Sequence, residues 1–183
     1  MGPPGAGKGT QGALLAQALG VPKFATGDLL RDAVKRGTAL GLKAKAVMEA
    51  GHLVGDDLIL GVVRDELARP EAARGVVLDG VVRTVPQAEG VDQLLAERGR
   101  SLDAVLFFDV TDDEILARLG KRRTLEGRAD DDPAAVATRL RAYREQTAPV
   151  LDWYEKRQLV RRVPAIGAVE EVAGRVRQAL NGK

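Results

Sequence analysis

MGPPGAGKGTQ, residues 1–11, is the stretch from which the rest of the chain is read. Gly2, Gly7 and Lys8 match the pattern G-x-x-x-x-G-K, a loop that turns its backbone N–H groups inward on an anion and opens a helix. Glycines at these places leave no Cβ between the amides and the anion. The helix starting near Thr10 adds the positive end of its dipole, and Lys8 adds a mobile point charge suited to the β and γ phosphates of a nucleotide. The residue after the lysine is Gly9, where Ser or Thr is usual, with Thr10 one place later. Such a loop normally hangs from the end of a buried strand, yet only Met1 precedes it here.

Working outward, short apolar runs rich in valine and phenylalanine alternate with longer segments of helical period. Strands are expected at Pro22 to Ala25, Gly75 to Asp79, Ala104 to Val110 and Leu159 to Val163. Helices are expected at Thr10 to Leu19, Gly27 to Arg36, Leu40 to Ala50, Asp56 to Ala68, Val85 to Arg98, Asp112 to Lys121, Pro133 to Arg157 and Ala168 to Leu180, with Pro149 a kink or break in the seventh. Strands separated by helices imply an α/β fold with a parallel sheet, right-handed crossovers and ligands at the carboxyl ends of the strands.

Composition narrows the function classes. The 183 residues fit one domain, and 28 basic against 26 acidic residues leave a net charge of only +2. That balance gives little electrostatic reason to expect nucleic acid or an anionic membrane as partner. With no cysteine there is no disulfide framework, no thiolate nucleophile and no cysteine-ligated zinc. The longest apolar runs, such as AVLFF at 104–108, are far short of a membrane span, and nothing has the pattern of a signal peptide. These features read as a soluble, cytoplasmic protein.

Phosphate binding alone names no reaction. FATGDLLRDAV, AGHLV, VVLDGVVRTVPQA, RLGKRRTLEGRADD, RLRAYREQTAP and VPAIGAVEEV follow the loop in that order. Together with GPPGAGKGTQ they resemble adenylate kinases of the short-lid type, over essentially the whole chain. The resemblance implies one nucleoside monophosphate kinase domain over 1–183, of the three-layer P-loop kinase fold. It also implies an AMP-binding segment at 26–54, a short lid at 121–131, and transfer of the γ-phosphoryl group of MgATP to AMP, giving two ADP.

Residue by residue, the resemblance assigns Gly5, Ala6, Gly7, Lys8, Gly9 and Thr10 to the ATP phosphates, and Arg118, Arg122 and Gly167, with Ile166, to ATP. It assigns Thr26, Arg31, His52, Leu53, Val54, Gly80, Val81, Val82, Arg83 and Gln87 to AMP. Arg128 and Arg139 clamp the transferring group and share in AMP binding. Lys8, Arg83, Arg122, Arg128 and Arg139 form the catalytic set, and Asp79 organises Mg²⁺ through water with no zinc. The residue types suit that chemistry: phosphoryl transfer needs two anionic nucleotides in line, their charge neutralised and water excluded. His52, the only histidine, need not be a base, because a phosphate oxygen of AMP is already a nucleophile at pH 7. Arg141, Arg144 and Arg161 read as surface charge. The expected partners are ATP, AMP and ADP, with Mg²⁺ as cofactor, and the expected state is a monomer.

Two departures from the family pattern bear on activity. DGVVRT stands where DGFPRT is usual, so the backbone just before Arg83 is expected to change course. The sheet of the family has five strands, and its first, central strand is missing ahead of Gly2. A start several apolar residues upstream of Met1 is therefore expected; a catalytically impaired nucleotide-binding protein is the competing reading. A pyrimidine nucleoside monophosphate kinase is the second alternative, disfavoured by Gln87 in RTVPQ. A guanine-reading N-K-x-D motif is impossible, since Asn181 is the sole asparagine.

Overall fold

The computed structural model describes residues 1–127 and 129–182, without the side chains of Leu40 and Ala129. Helix α1 (Lys8–Leu19) follows Gly7 directly, two residues ahead of the expected start. Gly7 holds the left-handed turn at φ 85° that redirects the chain into it, and Gly20 at φ 63° ends it. Strand β1 (Lys23–Ala25) runs straight into α2 (Thr26–Lys35). Thr38 caps α3 (Ala39–Glu49) by accepting from the Gly41 N–H. After α4 (Asp56–Leu67) and a 3₁₀ turn at Pro70–Arg74 comes β2 (Val77–Asp79). Thr84, whose hydroxyl accepts from the Gln87 N–H, then caps α5 (Val85–Ala96). The order closes with β3 (Val105–Asp109), α6 (Asp112–Glu126), α7 (Pro133–Ala142), α8 (Ala148–Glu155), β4 (Val160–Pro164) and α9 (Val169–Asn181).

The strands pair in parallel. Lys23 lies opposite Val77 and Ala25 opposite Asp79, while Val105 lies opposite Val160 and Asp109 opposite Pro164. The carboxyl ends of β1 and β2 are therefore level, so Thr26 and Gly80 leave the sheet side by side; the Thr26 hydroxyl donates to the Gly80 carbonyl at 3.2 Å. The four described strands form two separate two-stranded sheets and not one continuous sheet. Between them lies a cavity of about 230 Å³, faced by Val77 and Leu78 on one side and by Leu106 and Phe108 on the other. Met1 reaches into this space: its amino group donates to the Leu106 carbonyl and its own carbonyl accepts from the Phe108 N–H at 2.9 Å. The loop is thus fastened to β3 by one residue.

Among the described residues four apolar clusters hold the layers; in one, Ala88, Val105, Val150 and Tyr154 seat α5 and α8 against β3. Leu30, Ile59, Val63, Val81 and Val91 join α2, α4 and α5; Phe108, Val163, Val172 and Val176 seat α9 on the β3–β4 pair; Ile115, Leu119 and Val136 join α6 to α7. Each such side chain contributes roughly 1.5–3 kcal/mol by leaving water. Val81, 3% exposed, keeps the segment before Arg83 anchored apolar-side-in despite the departure from the family pattern.

Two helices differ from expectation by more than a residue or two. Helix α6 runs on from Lys121 to Glu126, because KRRTLE contains no breaker, and stops where Gly127 takes φ 60°. The expected long helix from Pro133 is divided into α7, a π turn at Tyr143–Thr147 and α8. Pro149, in the first turn of α8, has no N–H to give back, and the wider turn ahead of it absorbs the mismatch.

Candidate functional site

The loop, α2, the segment after β2, and α7 surround one cleft of about 120 Å³. Gly5 and Gly7 take φ 81° and 85°, conformations that curl the loop and aim its amides inward. Close approach also demands glycine: a Cβ on Gly2 would stand 2.9 Å from the Phe108 carbonyl oxygen, and one on Gly5 would stand 3.1 Å from Leu119. Ala6 is buried beneath the loop, while Gly9 and Thr10 are exposed at the N-terminus of α1. Lys8 folds back so that Nζ donates to the Gly2 and Pro3 carbonyls, both at 2.8 Å. Burial pushes its ammonium down to about 7; Asp79 pulls it back up, and the charges of Arg83, Arg139 and Arg122 push it further down. Four cations converging this closely make a strongly electropositive pocket.

Arg83 is fixed from three directions. Its Nε donates to the Gly80 carbonyl at 3.0 Å, its backbone N–H donates to Gln87 Oε1 at 2.7 Å, and its carbonyl accepts from Thr147 Oγ1 at 2.9 Å. Burial, with Arg139 and Arg31 nearby, lowers its pKa. Gln87 has its other amide end engaged too, Nε2 donating to Asp56 Oδ1 at 2.8 Å, so in this state it braces Arg83. Arg31 on α2 pairs with Asp28 at 2.5 Å and with Asp130 at 3.9 Å. Arg139 on α7 meets Asp130 at 3.1 Å and Asp131 at 2.9 Å. Arg122 on α6 binds Asp131 through two bonds of 2.6 and 2.5 Å, and that carboxylate raises its pKa. For Asp131, burial works upward, but the bonds and charges of Arg122 and Arg139 outweigh it and hold the carboxyl below the usual range.

Thr26, Arg31, His52, Leu53, Val54, Gly80, Val81, Arg83, Gln87 and Arg139 all line this cleft, and so does Lys8. Val82 does not; it packs among the apolar side chains behind it. Arg118 stands at the loop's other side, with Nη2 donating to the Ala165 carbonyl at 2.8 Å, next to Ile166 and Gly167. The Ile166 carbonyl accepts from Arg175 at 2.6 Å. Arg128 lies outside the described residues. Arg144 is two-thirds exposed and paired with Asp112 at 2.8 Å, in keeping with a surface role.

The sequence profile of the family described as Adenylate kinase matches residues 1–159. An adenylate kinase of Gemmatimonas aurantiaca is 52% identical over 207 aligned residues, covering 98% of this chain and 96% of that protein. One of Thermus thermophilus is 48% identical, covering 98% and 94%, and one of Stenotrophomonas maltophilia is 45% identical, covering 100% and 97%.

The chain belongs to the adenylate kinase family.

Charged partners in and around the site that the sequence did not single out include Lys23, Asp28, Asp56, Asp130 and Asp131. The only local signal was the acidic run at 130–132, and an acidic run ordinarily means a solvated turn. In the fold, Asp131 is the most enclosed carboxylate of the site, with a side chain 0% exposed.

Among the described residues no group of three or more His, Cys, Asp or Glu could hold a metal by itself. A hard cation would have to bring phosphate oxygens with it, as Mg²⁺ does with a nucleotide. Asp79 fits that arrangement. It ends β2 beside the loop, its side chain 12% exposed, and its Oδ2 would lie 3.5 Å from a Cβ on Gly9.

Proposed function

We propose that this adenylate kinase family member transfers the γ-phosphoryl group of MgATP to AMP, reversibly, and so maintains the balance among adenine nucleotides. The observation that carries the reading is the convergence of Lys8, Arg31, Arg83 and Arg139, from four separate segments, on one cleft. Such an arrangement suits a highly charged anion, or two of them. The loop amides from Gly5 to Thr10 and Lys8 hold the ATP phosphates, with Arg118 and Ile166–Gly167 toward its adenine. Arg31 and Arg83 hold the AMP phosphate, and Thr26, His52, Leu53, Val54 and Gln87 enclose its nucleoside.

An AMP phosphate oxygen then bonds to the γ phosphorus as the bond from that phosphorus to the β–γ bridging oxygen breaks, and the β-phosphate leaves as ADP. No proton has to move. Arg122, Arg128 and Arg139 neutralise the charge on the moving group. Asp79 would hold the water shell of Mg²⁺ bound with the ATP phosphates, which would supply further neutralisation. The segment 121–131 serves as the lid, bringing arginines onto the phosphates and excluding water that would hydrolyse ATP; residues 26–54 close over AMP. Every group named comes from one chain, which supports a monomer, and the compartment proposed is the cytoplasm.

A coupled assay of ADP formation with AMP, UMP and CMP as acceptors tests the reading. AMP should support turnover far above the pyrimidines, and Arg83→Met should lower kcat by about 10²–10³. Tight ATP binding with no turnover on any acceptor would overturn it.

A further inference from the structure

Lys23 sits where two functions of the cleft meet. It lies on β1, directly ahead of the AMP-binding helix, yet its side chain crosses the sheet toward the ATP side. Nζ stands 3.5 Å from Asp79 Oδ2, 3.6 Å from Asp28 Oδ2 and 3.4 Å from the Gly9 carbonyl oxygen. The stem runs over α1 at Gly12, where a Cβ would approach Lys23 Cδ to 3.3 Å. Only 21% of the side chain is exposed, so a long flexible residue is held in one direction by packing. The ammonium therefore occupies the space beside Asp79 from which a metal's water shell would be held. Asp28, its other partner, is also the carboxylate paired with Arg31.

We propose that Lys23 is a positioning residue that acts as a resident cation: it shares Asp79 with the metal of MgATP and limits how strongly the site depends on that metal. The inference rests on the assignment of Asp79 to the metal's water shell. The Asp79, Asp28 and Lys23 trio carries a net charge of −1, which still attracts a divalent cation but weakly. Without the ammonium the same space carries −2, and Asp79 is left to the charges of Lys8 and Arg83 and to a divalent cation, which it then draws more strongly. Lys23 thus lets the empty site stay folded and receptive without capturing free metal, and it ties the charge on the ATP side to the helix that holds Arg31.

The test is equilibrium binding by calorimetry, with ATP in excess Mg²⁺ and ATP in EDTA. It compares wild type, Lys23→Met, Lys23→Gln, Lys23→Arg and Asp79→Asn, each checked by circular dichroism for native helix content. Methionine keeps the stem over Gly12, and glutamine is the second neutral variant should methionine misfold. The ratio of MgATP to metal-free ATP affinity should widen by on the order of tenfold in the neutral variants, the scale of one unit charge at a partly wet site, and return to near wild type in Lys23→Arg. Mn²⁺ alone, followed by its electron paramagnetic resonance signal, should bind the neutral variants more tightly than wild type. A ratio within twofold of wild type in the neutral variants, with Asp79→Asn clearly altered, overturns the role of Lys23 and leaves that of Asp79 standing. A ratio also unmoved in Asp79→Asn overturns both. A widened ratio that arginine fails to restore would mean shape and not charge, and would likewise overturn it.

Discussion

Asp131→Asn is the perturbation whose size the structure sets most closely. The side chain is 0% exposed and accepts two bonds from Arg122 and one from Arg139, whose own side chains are 24% and 18% exposed. Asparagine has the same shape but no charge, so Arg122 would lose the carboxylate it binds twice, and Arg139 would be left with Asp130 at 3.1 Å. Removing one partner of a buried ion pair costs about 3–5 kcal/mol; partial access of both arginines to water brings the expected loss to ~2–3 kcal/mol. Against a total of about 5–15 kcal/mol, that is a shift easily read in urea unfolding followed by Trp153 fluorescence. The cost should fall by at least half when MgATP and AMP are present, because phosphate then neutralises the same arginines. The carboxyl's folded pKa is depressed, so its stabilisation is present above about pH 4 and lost as pH falls through the folded value. Wild type should therefore lose its advantage over the variant in acid. A variant within ~0.5 kcal/mol of wild type in the empty state, or one whose loss is the same with and without nucleotide, would refute this.

Further outcomes follow from the site and the core. With the Lys8 ammonium lowered to about 7 in the empty cleft, phosphate binding must add a proton above that pH, so ATP affinity should weaken by about tenfold per unit from pH 7 to 9; a flat calorimetric profile contradicts it. By the same sign, the empty protein should gain stability over that range, since the unfolded chain still binds the proton there and the folded one does not. Arg31→Met should raise KM for AMP by about tenfold and leave KM for ATP nearly unchanged, and a larger change for ATP would misplace Arg31. The Tyr154 hydroxyl is buried without a hydrogen-bond partner among the described residues, and burial pushes its pKa up, so Tyr154→Phe should be neutral or stabilise by ~0.5–1.5 kcal/mol in thermal unfolding.

What was legible in the sequence is what short range determines. The period of Leu30 and Ala33, or of Ile59 and Val63, marks a buried helix face wherever it occurs, and the spacing Gly2, Gly7, Lys8 fixes a loop that is one covalent piece. The AMP-side residues converge because β1 and β2 pair in register and release Thr26 and Gly80 side by side. That much could be anticipated from strand–helix alternation. The acidic partners could not. Asp130 and Asp131 gain their role only when α6, α7 and α2 bring Arg122, Arg139 and Arg31 around them, and nothing local distinguishes them from a solvated turn. Lys23 likewise looks like a strand's polar residue until Gly12, eleven positions earlier on another element, opens a path for its stem. Gln87, which the resemblance assigns to AMP, also holds Arg83 and Asp56 with its two amide ends, a bracing contact that depends on where α4 begins.

The most direct measurement starts from ADP alone. With Mg²⁺ and ADP as the only nucleotide, ³¹P NMR should show ATP and AMP appearing in equal amounts until equilibrium, because both products of the reverse reaction come from two molecules of one substrate. Persistence of ADP, or release of inorganic phosphate without matching ATP and AMP, would contradict the assignment of this cleft to phosphoryl transfer between adenine nucleotides.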